Sequence, residues 1–151
     1  MKKVVITIVL LSMLSNFVGC NANKILLPEY ISKESYHSEG IQDYTDYCKY
    51  FYDEEQISDF KKSNSFTRVK ESDIENLKDY FQHFKECINE ESFSDKHDFN
   101  CDTQIKVGDY FHILTKEGVN IGDSFYGEFD YYDVYYVDME KRILYFIHSN
   151  S

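Results

Sequence analysis

The chain has 151 residues and a formal net charge of −11, with 27 acidic residues against 16 basic ones. That balance excludes a role built on binding nucleic acid or anionic lipid head groups, because such a surface repels both. Tryptophan is absent while tyrosine (14) and phenylalanine (12) abound, so the expected core is one of phenyl and phenol rings.

Lys2 and Lys3 give the N-terminus a positive start, and an apolar run from Val4 to Leu11 continues through Met13 and Leu14 to Phe17, Val18, Gly19 and Cys20. A charged segment, an apolar segment and a small residue before the cut are the parts of an export signal. Spanning a bilayer takes about 20 apolar residues, and this run is shorter and broken by Ser12, Ser15 and Asn16. The tetrad Phe17-Val18-Gly19-Cys20 resembles the lipobox of bacterial lipoproteins, with Phe where leucine is usual. The resemblance implies that the peptide is cut after residue 19 and that the Cys20 thiol carries lipid. Two or more acyl chains there would anchor the chain stably, as one does not. The alternatives are an uncleaved transmembrane helix and an ordinary signal peptide in which Cys20 is incidental. Losing residues 1–19, which hold two lysines and no acid, takes the net charge from −11 to −13.

Residues 20–40 read as a tether: polar, with the only proline (Pro28), and with Ile25, Leu26 and Leu27 able to dock on a domain. Residues 41–151, roughly 110 of them, suffice for one small domain. From Asp43 to Lys62, Tyr44, Tyr47, Cys48 and Phe51 fall at helical spacing and Ile57 and Phe60 extend it, although Tyr50-Phe51-Tyr52 also fits a short strand. Ser72 and Glu75 have the spacing of a capping box. Behind them Ile74, Leu77, Phe81, Phe84 and Ile88 make an apolar stripe, with Tyr80 beside it, that predicts an amphipathic helix over 73–89. From Ile105 the period changes to two. Strands are expected over 110–115, within 125–138 and over 142–148, with turns at Lys116-Glu117-Gly118 and at 138–141. The expected fold class is α+β: one or two N-terminal helices packed on an antiparallel meander of three or four strands.

Four residues suggest a metal. His83 and Cys87 stand one helical turn apart, and His97 and Cys101 repeat the spacing; two His and two Cys make a tetrahedral zinc set, though not at the familiar knuckle spacing. The competing reading is a half-buried thiol beside a surface histidine. Asp98, Asn100 and Asp102, with Ile105 and Asp109 beyond, echo a calcium loop, but Thr103 replaces the turn glycine and Asp109 the closing glutamate. A solvated acidic loop is the plainer reading. With Cys20 acylated, Cys48, Cys87 and Cys101 allow one disulfide at most. Cys87–Cys101 would close the shortest loop, Cys48–Cys87 would join the expected helices, and three reduced thiols are the remaining state.

The aromatic run from Phe125 to Tyr136 invites a glycan-stacking reading, against which stand the lack of tryptophan and the ordinary use of such residues in strands. No Gly-x-Ser-x-Gly, His-Glu-x-x-His or phosphate loop is present, so neither an enzyme nor a cofactor is expected. Arginine is limited to Arg68 and Arg142, which argues against phosphate or carboxylate clamps. The mature part, with its ending Leu144-Tyr145-Phe146-Ile147-His148, resembles small Tyr- and Asp-rich lipoproteins of low-GC Gram-positive bacteria, which implies location and no activity. The expected protein is a lipid-anchored module on the outer face of the cell membrane, held there through Cys20 and binding a protein partner. The alternative is a surface receptor domain for a cation or a glycan.

Overall fold

Alternation with period two governs far more of the folded chain than its C-terminal half. The computed structural model describes residues 25–37, 44–90, 103–115, 118–119 and 131–150. Within them, β1 (Ser32–His37), β2 (Tyr44–Phe51), β3 (Thr67–Arg68), β4 (Tyr110–Thr115), β5 (Gly118–Val119), β6 (Tyr131–Asp138) and β7 (Ile143–Asn150) form one antiparallel sheet. Its order is β1-β2-β7-β6-β4-β3, with β5 paired to β4 beside that path. Two α-helices accompany it, α1 (Glu54–Ser58) and α2 (Ile74–Glu90).

This overturns the expected three- or four-stranded meander under one or two helices: the fold is mainly sheet. The segment expected as a first helix is mostly strand. Tyr44 to Phe51 pairs along its whole length with β7, and Ser32–His37, inside the stretch read as a tether, pairs with β2. Apolar residues at steps of three and one suit a helix face, but Tyr, Thr and Phe also pack well on a pleated surface, and two neighbouring strands decide the matter. The helix begins only after Asp53, whose carboxylate accepts the Gln56 amide at 2.8 Å while the Gln56 side chain accepts the Asp53 amide at 3.0 Å. This reciprocal cap is a legible signal that the segment changes structure at Asp53.

Helix α2 lies within a residue of the expected span, but its entry differs. Ser72 sits inside a short 3-10 turn, Glu71–Asp73, and Asp73 accepts both the Lys70 amide (2.8 Å) and the Ser72 hydroxyl (3.2 Å). The apolar stripe Leu77, Tyr80, Phe81 and Phe84 is buried against one face of the sheet, on Tyr47 of β2, Phe111 and Ile113 of β4, Tyr132, Val134 and Tyr136 of β6, and Tyr145 and Ile147 of β7. The intervening residues point the other way. Val137 and Leu144, with Tyr52, Ile57, Phe60 and Phe66, form a second core, and Ile25 and Leu27 pack against it. Central strands covered on both sides explain why β6 and β7 carry apolar residues at consecutive positions, where one-sided antiparallel strands would alternate with polar ones.

Candidate functional site

The residues singled out by spacing are only partly brought together. His83 and Cys87 do meet across a helical turn, Sγ to Nδ1 3.7 Å, and the same Nδ1 lies 3.1 Å from the Tyr132 hydroxyl. Their proposed zinc partners His97 and Cys101 lie outside the described residues, as do Asp98, Asn100, Asp102 and Cys20. Among the described residues no three His, Cys, Asp or Glu are grouped to hold a metal ion. Cys48 is a free, buried thiol. It points away from α2, because its neighbour Tyr47 faces Phe84. A Cys48–Cys87 bridge is therefore excluded by a sheet that stands between the two thiols.

Asp109, the one carboxylate of the calcium-like spacing among the described residues, is engaged within the protein. Its buried carboxylate accepts the Tyr136 hydroxyl and, at 3.0 Å, the Met139 amide. The Lys106 amide donates to the Tyr136 oxygen at 3.1 Å. Burial raises the Asp109 pKa above the usual carboxylate value, against the pull of the two hydrogen bonds, and burial with the neighbouring carboxylate raises that of Tyr136. The described rings of the aromatic run are likewise committed to packing: Tyr132 meets Tyr80, Tyr136 meets Phe81, and Tyr135 meets Phe146.

A polar row crosses the sheet on the side away from α2. Register sets Asp46 opposite His148 and His148 opposite Asp133. His148 is 6% exposed and its Nδ1 is 2.5 Å from Asp133 Oδ1, a contact that holds the ring orientation and puts a proton on Nδ1. One row away, His112 donates from Nδ1 to the Ser65 carbonyl at 2.7 Å, and burial lowers its pKa. Both histidines are anchored in the sheet by these bonds.

A concave feature lies at the other end of that face. An open groove of about 740 Å³ is lined by Lys61, Arg68, Gly108, Tyr110, Met139 and Arg142, with Ile57 in its wall and Glu54, Ser58 and Glu140 also contributing. That volume is in the range of ligand sites. Three parts of the fold build it. Arg68 ends β3 and pairs with Tyr110 of β4. The β3–β4 ladder extends through Val69, whose amide donates to the Asp109 carbonyl (2.8 Å) and whose carbonyl accepts the Gly108 amide (3.0 Å). Gly108 has φ +98°, a conformation other residues avoid, and its bare Cα lies against the Arg68 guanidinium: a β-carbon there would be 3.5 Å from Nη2.

Arg142 comes from the β6–β7 turn. Asp138 shapes that turn by accepting the Glu140 (3.1 Å) and Lys141 (2.8 Å) amides on one oxygen. The turn then closes with Arg142 at φ 58°, the left-handed region, at a cost of about 1–2 kcal/mol for a residue with a β-carbon. The Arg142 carbonyl accepts the Tyr52 amide at 3.0 Å, so the turn is tied to the end of β2. The Asp109–Tyr136 brace holds Gly108 and Met139 on either side.

Among the described residues, neither arginine nor Lys61 has a carboxylate within ion-pairing distance, whereas Lys62, Lys78, Lys106 and Lys141 all do. Glu140, one of two carboxylates in the lining, is paired with Lys106 at 2.5 Å. The scarcity of arginine hid this site: the two residues belong to separate strand pairs, and only the sheet order brings them to one groove. No protein-family model, no curated protein and no solved structure matches the chain.

Proposed function

We propose that the chain is a lipid-tethered, extracytoplasmic interaction module without catalytic activity, and that the groove around Arg68 and Arg142 is where it engages a protein partner. One observation carries this reading: the only two arginines of an acidic chain line one open groove, and neither is neutralised by a described carboxylate. Arginine is the cation best suited to a desolvated interface, and its favoured place there is the centre. The export-like segment and Cys20 supply the tether, and the net charge keeps the module off an anionic membrane surface.

Two experiments test the two halves. Replacing Cys20 by Ala in the full chain should move the protein out of the membrane fraction or leave it as unprocessed precursor; unchanged acylation would sink the tether. For the groove, a photo-reactive residue at Ser58 should give a discrete cross-linked adduct in cells, and one at Gln82, exposed on the back of α2, should not. The Ser58 adduct should vanish when Arg68 and Arg142 are both changed to Gln. Persistence of the adduct in that double variant would overturn the reading.

A further inference from the structure

Three features bear on what such a groove would recognise. The first is the contrast in charge pairing. In a chain with so many acids, the two arginines and Lys61, gathered in one concavity, have no described carboxylate within ion-pairing distance, although Lys62 and Lys141, next to them in sequence, do. Cations left uncompensated within a shaped site favour an anion from outside. The second is the residue type. A guanidinium offers two parallel N–H donors that fit the oxygens of a carboxylate or phosphate, which an ammonium meets only as a point charge. The third is backbone cost. The turn position of Arg142 suits Gly or Asn, which adopt φ 58° with little strain, and a long cationic side chain is carried there instead. At Gly108 the φ of +98° is met by a glycine, and the Arg68 guanidinium lies within ordinary contact distance of that position.

We infer that the groove binds one oxyanion group, a carboxylate or a phosphate, with Arg68 and Arg142 as its direct donors and Lys61 at the rim. The inference rests on the reading of the groove as the binding site and adds the chemistry of its ligand. Charge sets the size of that ligand. Three cations face Glu54 and a Glu140 already paired with Lys106, so the groove carries a small positive excess on a molecule of net charge −11. Such an arrangement suits a terminal group with one or two negative charges, and it rejects a polyanion, whose remaining charges would meet an acidic surface. Tyr110 adds a hydroxyl to the lining, and Ile57 and Met139 give apolar support for whatever carries the anion.

The test is thermal unfolding of the full chain in neutral detergent, with added salts matched in ionic strength by chloride. Acetylglycine probes a carboxylate, acetylglycinamide is its neutral control, and inorganic phosphate probes a phosphate. A ligand that binds only the folded state raises Tm in a concentration-dependent way. Acetylglycine or phosphate, at concentrations up to tens of millimolar, should raise Tm by a few degrees beyond chloride, and acetylglycinamide should not. A shift with acetylglycine alone assigns the group to a carboxylate, and with phosphate alone to a phosphate ester; either supports the inference. Arg68→Gln and Arg142→Gly should each weaken apparent affinity at least tenfold. Arg142→Gly, which leaves the turn in a conformation glycine accepts, should remain folded, so loss of the shift there reports the side chain. Arg68→Lys should restore only part of the effect.

No shift with either anion, or the same shift in both variants as in the parent, overturns the inference. If the Ser58 adduct still depends on the two arginines in that event, the groove remains the partner site and only the ligand chemistry is wrong.

Discussion

The two faces of the sheet differ in how they are covered, and the difference separates holding the fold from meeting a partner. On one face a single 17-residue helix lays a continuous stripe over Tyr47, Tyr132, Tyr136, Tyr145 and Ile147, all of them at most 4% exposed. On the other, short pieces do the covering: Ile25 and Leu27, the turn of α1, and the loop that brings Phe60 and Phe66. A regular helix leaves little room between its side chains and the strands. Irregular cover leaves gaps and polar groups, and there lie the groove, the His148–Asp133 pair and His112. The lesson is one of division: rigid packing on one side fixes the strands, whose other side and turn ends are then free to present Arg68 and Arg142.

The sharpest way to break this comparison is through the helix face. Phe84 is 1% exposed and packs on Tyr47. Changing Phe84 to Ala should cost about 3–5 kcal/mol in urea unfolding; a loss below half a kcal/mol would show that this face does not hold the fold. Next comes the brace beneath the groove. Tyr136→Phe removes the hydroxyl from a buried carboxylate and should cost about 1–3 kcal/mol. The hydroxyl favours the charged form of Asp109, whose pKa burial has raised. The deficit should therefore be full at neutral pH and shrink as acid protonates Asp109, beginning above the ordinary carboxylate pKa near 4.

On the groove side the expected stability effects are smaller and can change sign. Arg142→Gly relieves left-handed strain, partly offset by the freedom glycine adds to the unfolded chain, and should leave stability unchanged or raise it by up to about 1 kcal/mol. A marked loss would mean that the guanidinium is structural. The smallest effect is at His112. Burial lowers its pKa, so the stability it contributes is present above the unfolded value near 6.5 and is lost as pH falls through that value, where the unfolded chain takes up the proton first. The parent should lose more stability between pH 7.5 and 5.5 than His112→Gln; equal losses would remove the buried neutral imidazole from the account.

How much of this was legible in the sequence follows from which interactions are local. The apolar steps from Ile74 to Phe84 and the alternation from Tyr110 and around Ile143 to Ile147 belong to single elements and can be read from them. Strand β2 was not legible, because Tyr44, Tyr47, Cys48 and Phe51 satisfy a helical spacing and only β1 and β7, on either side, make it a strand. Strand β1 has no pattern to find: Ser-Lys-Glu-Ser-Tyr-His is polar on both faces, as suits an edge. The reciprocal cap between Asp53 and Gln56 was visible and would have cut the supposed helix at its true start. The groove had no signature at all, since Arg68, Gly108 and Arg142 come to line one groove only through the order of the strands.

That order also bears on how the molecule comes to be folded. Strand β7 sits between β2 and β6, in the middle of the path from β1 to β3. Until it is in place, the pair β1–β2 and the group β6–β4–β3 are separate ribbons, each with a bare edge. During synthesis the early ribbon waits for residues 143–150 before it can join anything, and closing a loop of that length is slow. The waiting chain has exposed strand edges and aromatic side chains, which is the condition under which chains stick to one another. A holding factor that keeps the N-terminal ribbon apart until the last strand arrives would therefore raise the yield of folded protein more than one acting on α2.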